Sequence, residues 1–170
     1  MGSACELGSA QKDTAMPKID PATAPSRRGS AYPAPHDAPC ADRLRHILGD
    51  AGGLTAFGVN LMHLPPGAWS SQRHWHSHED EFVQILSGEV VLVEDGGEQI
   101  MVAGDCAAFP AGSGNGHHFV NRSAAPATLL EVGSRDDRDC TTYSDIDMKT
   151  GADGAYVRKD GSPISAISRP

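Results

Sequence analysis

Five of the chain's eight histidines fall between His74 and His118. His74 and His76 flank Trp75. Residues two apart on a strand share a face, so both imidazoles project to one side. Glu81 follows a turn through His78-Glu79-Asp80 and can add a carboxylate to the same cluster. A later segment, running from Gly104 to Asn121, can return His117 to that spot from a different strand. Imidazoles with a carboxylate suit one divalent transition metal such as iron, manganese, zinc or nickel. An ion with one or two open positions can polarise a carbonyl or chelate a hydroxy-keto or enediol group. If it is iron, it can also bind dioxygen.

Such a cluster needs strands to hold it, and the surrounding pattern supplies them. Apolar runs separated by Gly- or Pro-marked turns occupy residues 54–64, 71–76, 81–86, 90–94, 99–102, 106–110, 117–121 and 127–132. Short strands at this spacing predict an all-β sandwich or barrel. Asp95-Gly96-Gly97 marks a hairpin, because glycine supplies the positive φ that such turns require. Residues 44–49 read as a short helix ended by Gly49 and the Gly52-Gly53 pair.

Residues 1–39 hold six prolines between Pro17 and Pro39 and read as a disordered or extended arm. Their composition buries too little apolar surface to offset the entropy of ordering. Met16 before Pro17 could be a natural start. The barrel is expected over residues 40–135. An irregular polar tail follows over 136–170, packing back through Tyr143, Ile146, Met148 and Tyr156.

Fourteen basic against 22 acidic residues give a net charge of −8, which argues against broad nucleic-acid or anionic-membrane binding. No apolar run is long enough to span a membrane, and no signal-peptide core follows Met1. The cysteines, Cys5, Cys40, Cys106 and Cys140, form no C-x-x-C pair and read as reduced thiols of a cytoplasmic protein. The Asn121-Arg122-Ser123 sequon therefore carries little weight. Nucleophile elbows, P-loops and dinucleotide fingerprints are missing from the sequence.

Two motifs resemble those of the cupins. The first, a glycine, His-x-His, Glu and a closing glycine, is matched by Gly67, His74, His76, Glu81 and Gly88. The second, a glycine, Pro-x-Gly, His and Asn, is matched by Gly104, Pro110, Gly112, His117 and Asn121. Gly67 stands one residue further from His74 than is usual, and four residues rather than two separate Gly112 from His117. Both departures lie in turns, where length changes are tolerated. The Pro65-Pro66-Gly67 run, the HWH triplet, the Val93-to-Gly97 hairpin and the Tyr143-x-Asp145-x-Asp147 tail are similar to small bacterial single-domain cupins. Some of those are named as sugar-phosphate isomerases. The resemblance implies a jelly-roll barrel, the double-stranded β-helix, with His74, His76, Glu81 and His117 as metal ligands. It also implies a homodimer, whose interface would be an outward apolar face around Trp75, Phe82 and Val91.

Other residues of the two segments read differently. His118 has the opposite strand parity to His117 and should face outward or into an interface, unless a one-residue register shift exchanges the two. His78 belongs to a turn, solvated or at the mouth of the site. Asn121 reads as structural, bonded to turn backbone. Cys106 reads as a buried small apolar group. Glu79 and Asp80 read as a solvated acidic turn, and only His78 and Glu79 offer a proton-transfer group. Catalytic residues are therefore unassigned. Val83, Ile85 and Val102 suggest an aliphatic pocket. The functions in view are isomerase or lyase chemistry on a small polar, sugar-like or hydroxy-keto molecule, an Fe(II)-dependent dioxygenase, and a non-catalytic ligand- or metal-binding module.

Overall fold

All eight strand runs read from the sequence are present in the computed structural model, which describes residues 18–151 and 153–164. They form β3 (Phe57–Leu64), β4 (His74–His76), β5 (Glu81–Ser87), β6 (Glu89–Glu94), β7 (Gly97–Val102), β8 (Cys106–Phe109), β9 (His118–Val120) and β10 (Ala127–Ser134). The expected hairpin joins β6 to β7, with Glu94 opposite Gly97 and Asp95-Gly96 at the tip. Gly97 has φ +122°, in the left-handed region where glycine is favoured.

Two expectations are corrected. Residues 44–49, read as a helix, are the strand β2 (Leu44–Ile47) followed by the single turn α1 (Leu48–Ala51). Leu44, Ile47 and Leu48 fit a helical spacing, but pairing on both sides decides the conformation. β2 lies between β3 and a strand inside the Pro-rich arm, β1 (Ser26–Arg28). The arm is thus ordered from residue 18 onward and adds an edge to the barrel sheet; residues 1–17, with Met16 and Cys5, lie outside the described residues. The tail, read as irregular, forms β11 (Thr141–Tyr143), β12 (Met148–Thr150) and β13 (Tyr156–Val157). It packs back as expected, with Tyr143 and Met148 buried.

Three sheets result, in strand order β1-β2-β3-β10-β5-β8, β13-β12-β11-β4 and β7-β6-β9. This is an all-β jelly roll. One core fills the space between the six-stranded and three-stranded sheets: Met62, Leu64, Ile85, Leu129 and Phe119 are 0–2% exposed. Each such burial contributes roughly 1.5–3 kcal/mol. The β5–β6 turn depends on Gly88, whose φ is +80° and where a Cβ would lie 2.7 Å from the Ala127 Cα. Asn121 is structural, as read: its Nδ2 donates to the Leu64 and Ala125 carbonyls at 2.7 and 2.8 Å.

Cys106 is exposed, against expectation. β8 pairs only with β5 at the sheet edge. Along it Ala107 and Phe109 turn toward the core, so period-two alternation turns Cys106 away. Cys40, Cys106 and Cys140 are free thiols. Among the described residues no helix is long and apolar enough to cross a membrane.

Candidate metal centre

Strand parity delivers the cluster. On β5, Glu81, Val83 and Ile85 share one face, so the carboxylate sits one step beyond the apolar core. β4 brings His74 and His76 against it, and His117 forms a two-way backbone bridge with His74, through N–H to carbonyl bonds of 2.8 and 3.1 Å. The three Nε2 atoms converge on one oxygen: Glu81 Oε2 lies 3.7 Å from His74, 3.6 Å from His76 and 3.0 Å from His117. That oxygen is buried and none of the three makes an aligned hydrogen bond to it. The ligand atoms of His74, His76 and Glu81 all lie within 4.8 Å of one another, and His117 joins them through Glu81.

Each ring is oriented from behind. His74 Nδ1 lies 3.0 Å from the Gln72 carbonyl and 3.3 Å from Ser71 Oγ. His76 Nδ1 is 2.6 Å from Asp139 Oδ2, and Asp139 also accepts from the His78 backbone N–H at 2.9 Å. His117 stacks on Phe109, ring centroids 3.4 Å apart. Burial pushes the His74 imidazole down to about 3, so it is a neutral donor at neutral pH. Burial alone would raise Glu81, but His117, His74 and His76 outweigh it and hold the carboxyl below the usual range. A buried carboxylate facing three imidazole nitrogens is a donor set that fits a divalent ion.

His118 is the correction to the second motif. It is buried inside its own chain, its Nδ1 2.9 Å from the Ser71 carbonyl and its ring edge-on to Trp69 at 4.7 Å. The register is therefore the one that turns His117 to the cluster. His78 is exposed and Glu79 binds the Asp136 N–H at 3.0 Å, so neither reaches the cavity beside the cluster. That cavity, about 220 Å³, is not aliphatic: Val83 borders it, but Ile85 lies in the core and Val102 is exposed. Its walls instead carry Glu131, Arg43, Arg45, Tyr32 and Tyr156. None of these, nor Asp139, was singled out as a site residue from the sequence. Glu131 alone left a usable signal, falling two residues after the core residue Leu129 on the inward face of β10.

The cupin-domain family model matches residues 60–133. A sugar phosphate isomerase of the cupin superfamily from Silicibacter pomeroyi is 55% identical, with 88% of this chain and 98% of that one covered and a TM-score of 0.83. The chain belongs to the cupin superfamily. This cupin is also similar to a provisionally named sugar phosphate isomerase from Acidithiobacillus ferrooxidans, at 28% identity, coverage of 76% and 83%, and TM-score 0.66. The polyketide cyclase RemF of Streptomyces resistomycificus, at 17% identity, coverage of 72% and 81%, and TM-score 0.58, shares the fold. No curated protein matches the sequence of this cupin.

Proposed function

We propose that this cupin holds one divalent metal through His74, His76, Glu81 and His117 and isomerises a small polar, sugar-like or hydroxy-keto molecule. The observation that carries the metal is the buried Glu81 Oε2 facing three imidazole nitrogens with no aligned hydrogen bond. Two similar cupins named as sugar phosphate isomerases support the reaction class. When bound, the ion supplies Lewis-acid polarisation of a substrate oxygen.

The chain's own residues do the rest. Asp139 fixes the His76 ring so that its Nε2 faces the cluster. Glu131, 3.1 Å from Arg45, is the cavity carboxylate not engaged by the histidines. Burial raises its carboxyl above the ordinary value despite Arg45. It is the group that takes the proton from the hydroxyl-bearing carbon and returns it to the former carbonyl carbon, while the hydroxyl proton passes to the former carbonyl oxygen. The free thiols fit a cytoplasmic, reducing setting. A second copy covers the outer face at Phe57 and Phe82, which are 42% and 40% exposed. Val91, buried in its own chain, takes no part. Light scattering that finds only a monomer removes the dimer.

Elemental analysis of protein purified without added metal should find close to one ion per chain, and only traces in His76→Ala. Equal traces in both would remove the metal. Nuclear magnetic resonance in D2O then tests the reaction: deuterium should enter hydroxy-keto sugars and their phosphates beside the carbonyl. A metal-loaded chain that exchanges none of them is a binding module instead.

A further inference from the structure

Arg27 of the arm joins Arg43 and Arg45, at β2, on the wall of the cavity. β1 pairs with β2 so that Arg27 stands directly opposite Arg45, which puts two like charges side by side. Arg43 lies two residues before Arg45, at the spacing that shares a face along an extended chain. All three border the cavity that also holds His74, His76 and Glu81. The chain as a whole carries −8, so this concentration of positive charge is local and is not a property of the surface.

The guanidinium groups are only partly satisfied. Arg43 is 5% exposed; its Nε donates to the Gly29 carbonyl at 3.0 Å, and its Nη1 is buried without an acceptor among the described residues. Arg45 pairs with Glu131 through Nη2 at 3.1 Å, while its Nε is likewise buried without an acceptor. A buried N–H left unpaired is costly, and a ligand oxygen would satisfy it. Tyr32, from the arm, lies under Arg43 with its ring centroid 5.9 Å from the guanidinium carbon, and packs on Tyr143 at 5.4 Å. Burial pushes the Tyr32 phenol up to about 12, so it stays a neutral hydrogen-bonding group. Arg27 is exposed and sits at the edge. Among the described residues the carboxylates that line the cavity are Glu81, turned to the histidines, and Glu131, held by Arg45.

We propose that Arg43 and Arg45, with Arg27 at the edge, form an oxyanion subsite that receives a phosphate or carboxylate group of the substrate. This rests on the isomerase reading and narrows its substrate to an anionic molecule, anchored by the arginines at one end and presented to the histidine cluster at the other. Guanidinium groups suit this task, because their planar N–H forks match the paired oxygens of either anion.

Isothermal titration calorimetry of the full chain with inorganic phosphate tests the subsite, first after chelator dialysis and then metal-loaded. Phosphate should bind saturably in both states. Arg43→Gln and Arg45→Gln should each weaken it about tenfold or more, with metal content unchanged. Arg27→Ala, on the surface, should weaken it by a smaller factor, and it keeps the test readable where Arg43→Gln fails to fold by circular dichroism. Acetate run in parallel separates the sources: tighter phosphate assigns a phosphate, and equal or tighter acetate a carboxylate. Neither ion binding, or affinity indifferent to all three arginines, overturns the subsite. So does phosphate that binds only with metal and is lost in His76→Ala, since the ion alone would then hold it. Phosphate binding by a parent chain that takes up no metal when loaded would remove the metal reading and leave the subsite standing.

Discussion

The two ends of the barrel interior are built from the same strands and do opposite work. At one end, Ile85 on β5 and Leu129 on β10 are fully buried among apolar neighbours. At the other, the same inward face of β5 carries Glu81 and that of β10 carries Glu131. The apolar end is held by non-directional burial, which needs only volume and patterning. The polar end is held by directional contacts from the tail and from the strand beside the arm: Asp139 meets His76, and Arg45 on β2 pairs with Glu131. Each strand thus supplies apolar core at one end and the polar groups of the cluster and cavity at the other, where the arm and tail pack.

If this division holds, the two ends should fail separately. The largest expected effect is at the apolar end: Leu129→Ala should cost about 2–5 kcal/mol in denaturant unfolding. It should leave the metal content near that of the parent; loss of metal as well would mean that the ends are coupled. At the polar end, Asp139→Ala should lower metal affinity about 10- to 100-fold in competition with a chelator, because His76 loses the partner that orients it. An unchanged affinity would show that the tail does not support the site. The smallest effect belongs to the surface. Glu98→Gln removes an exposed ion pair with Arg122 and should move neither the melting temperature nor the metal content.

The apolar end was legible because period-two alternation is a local signal: the runs that became β3 to β10 could be read strand by strand. The histidine cluster was legible for the same reason, since His74, His76 and Glu81 lie within one hairpin-like stretch and His117 follows from a second motif. What escaped depends on contacts distant in sequence. Asp139 meets His76 from 63 residues away, and nothing in its polar segment announces that partner. Arg43 and Arg45 were hidden because β2 looked helical until β1 paired with it, and β1 sits in a stretch whose composition argues for disorder. Parity places His118 outward or in an interface, but the side opposite the cluster is covered within the chain by Trp69 and the Ser71 carbonyl.

Anomalous diffraction from crystals grown with manganese or zinc locates the ion. One strong peak should appear, bounded by the Nε2 atoms of His74, His76 and His117 and by the Glu81 carboxylate. A peak among His76, Glu79 and Asp139, whose ligand atoms also lie within 4.8 Å of one another, or no peak at either place, would contradict that placement.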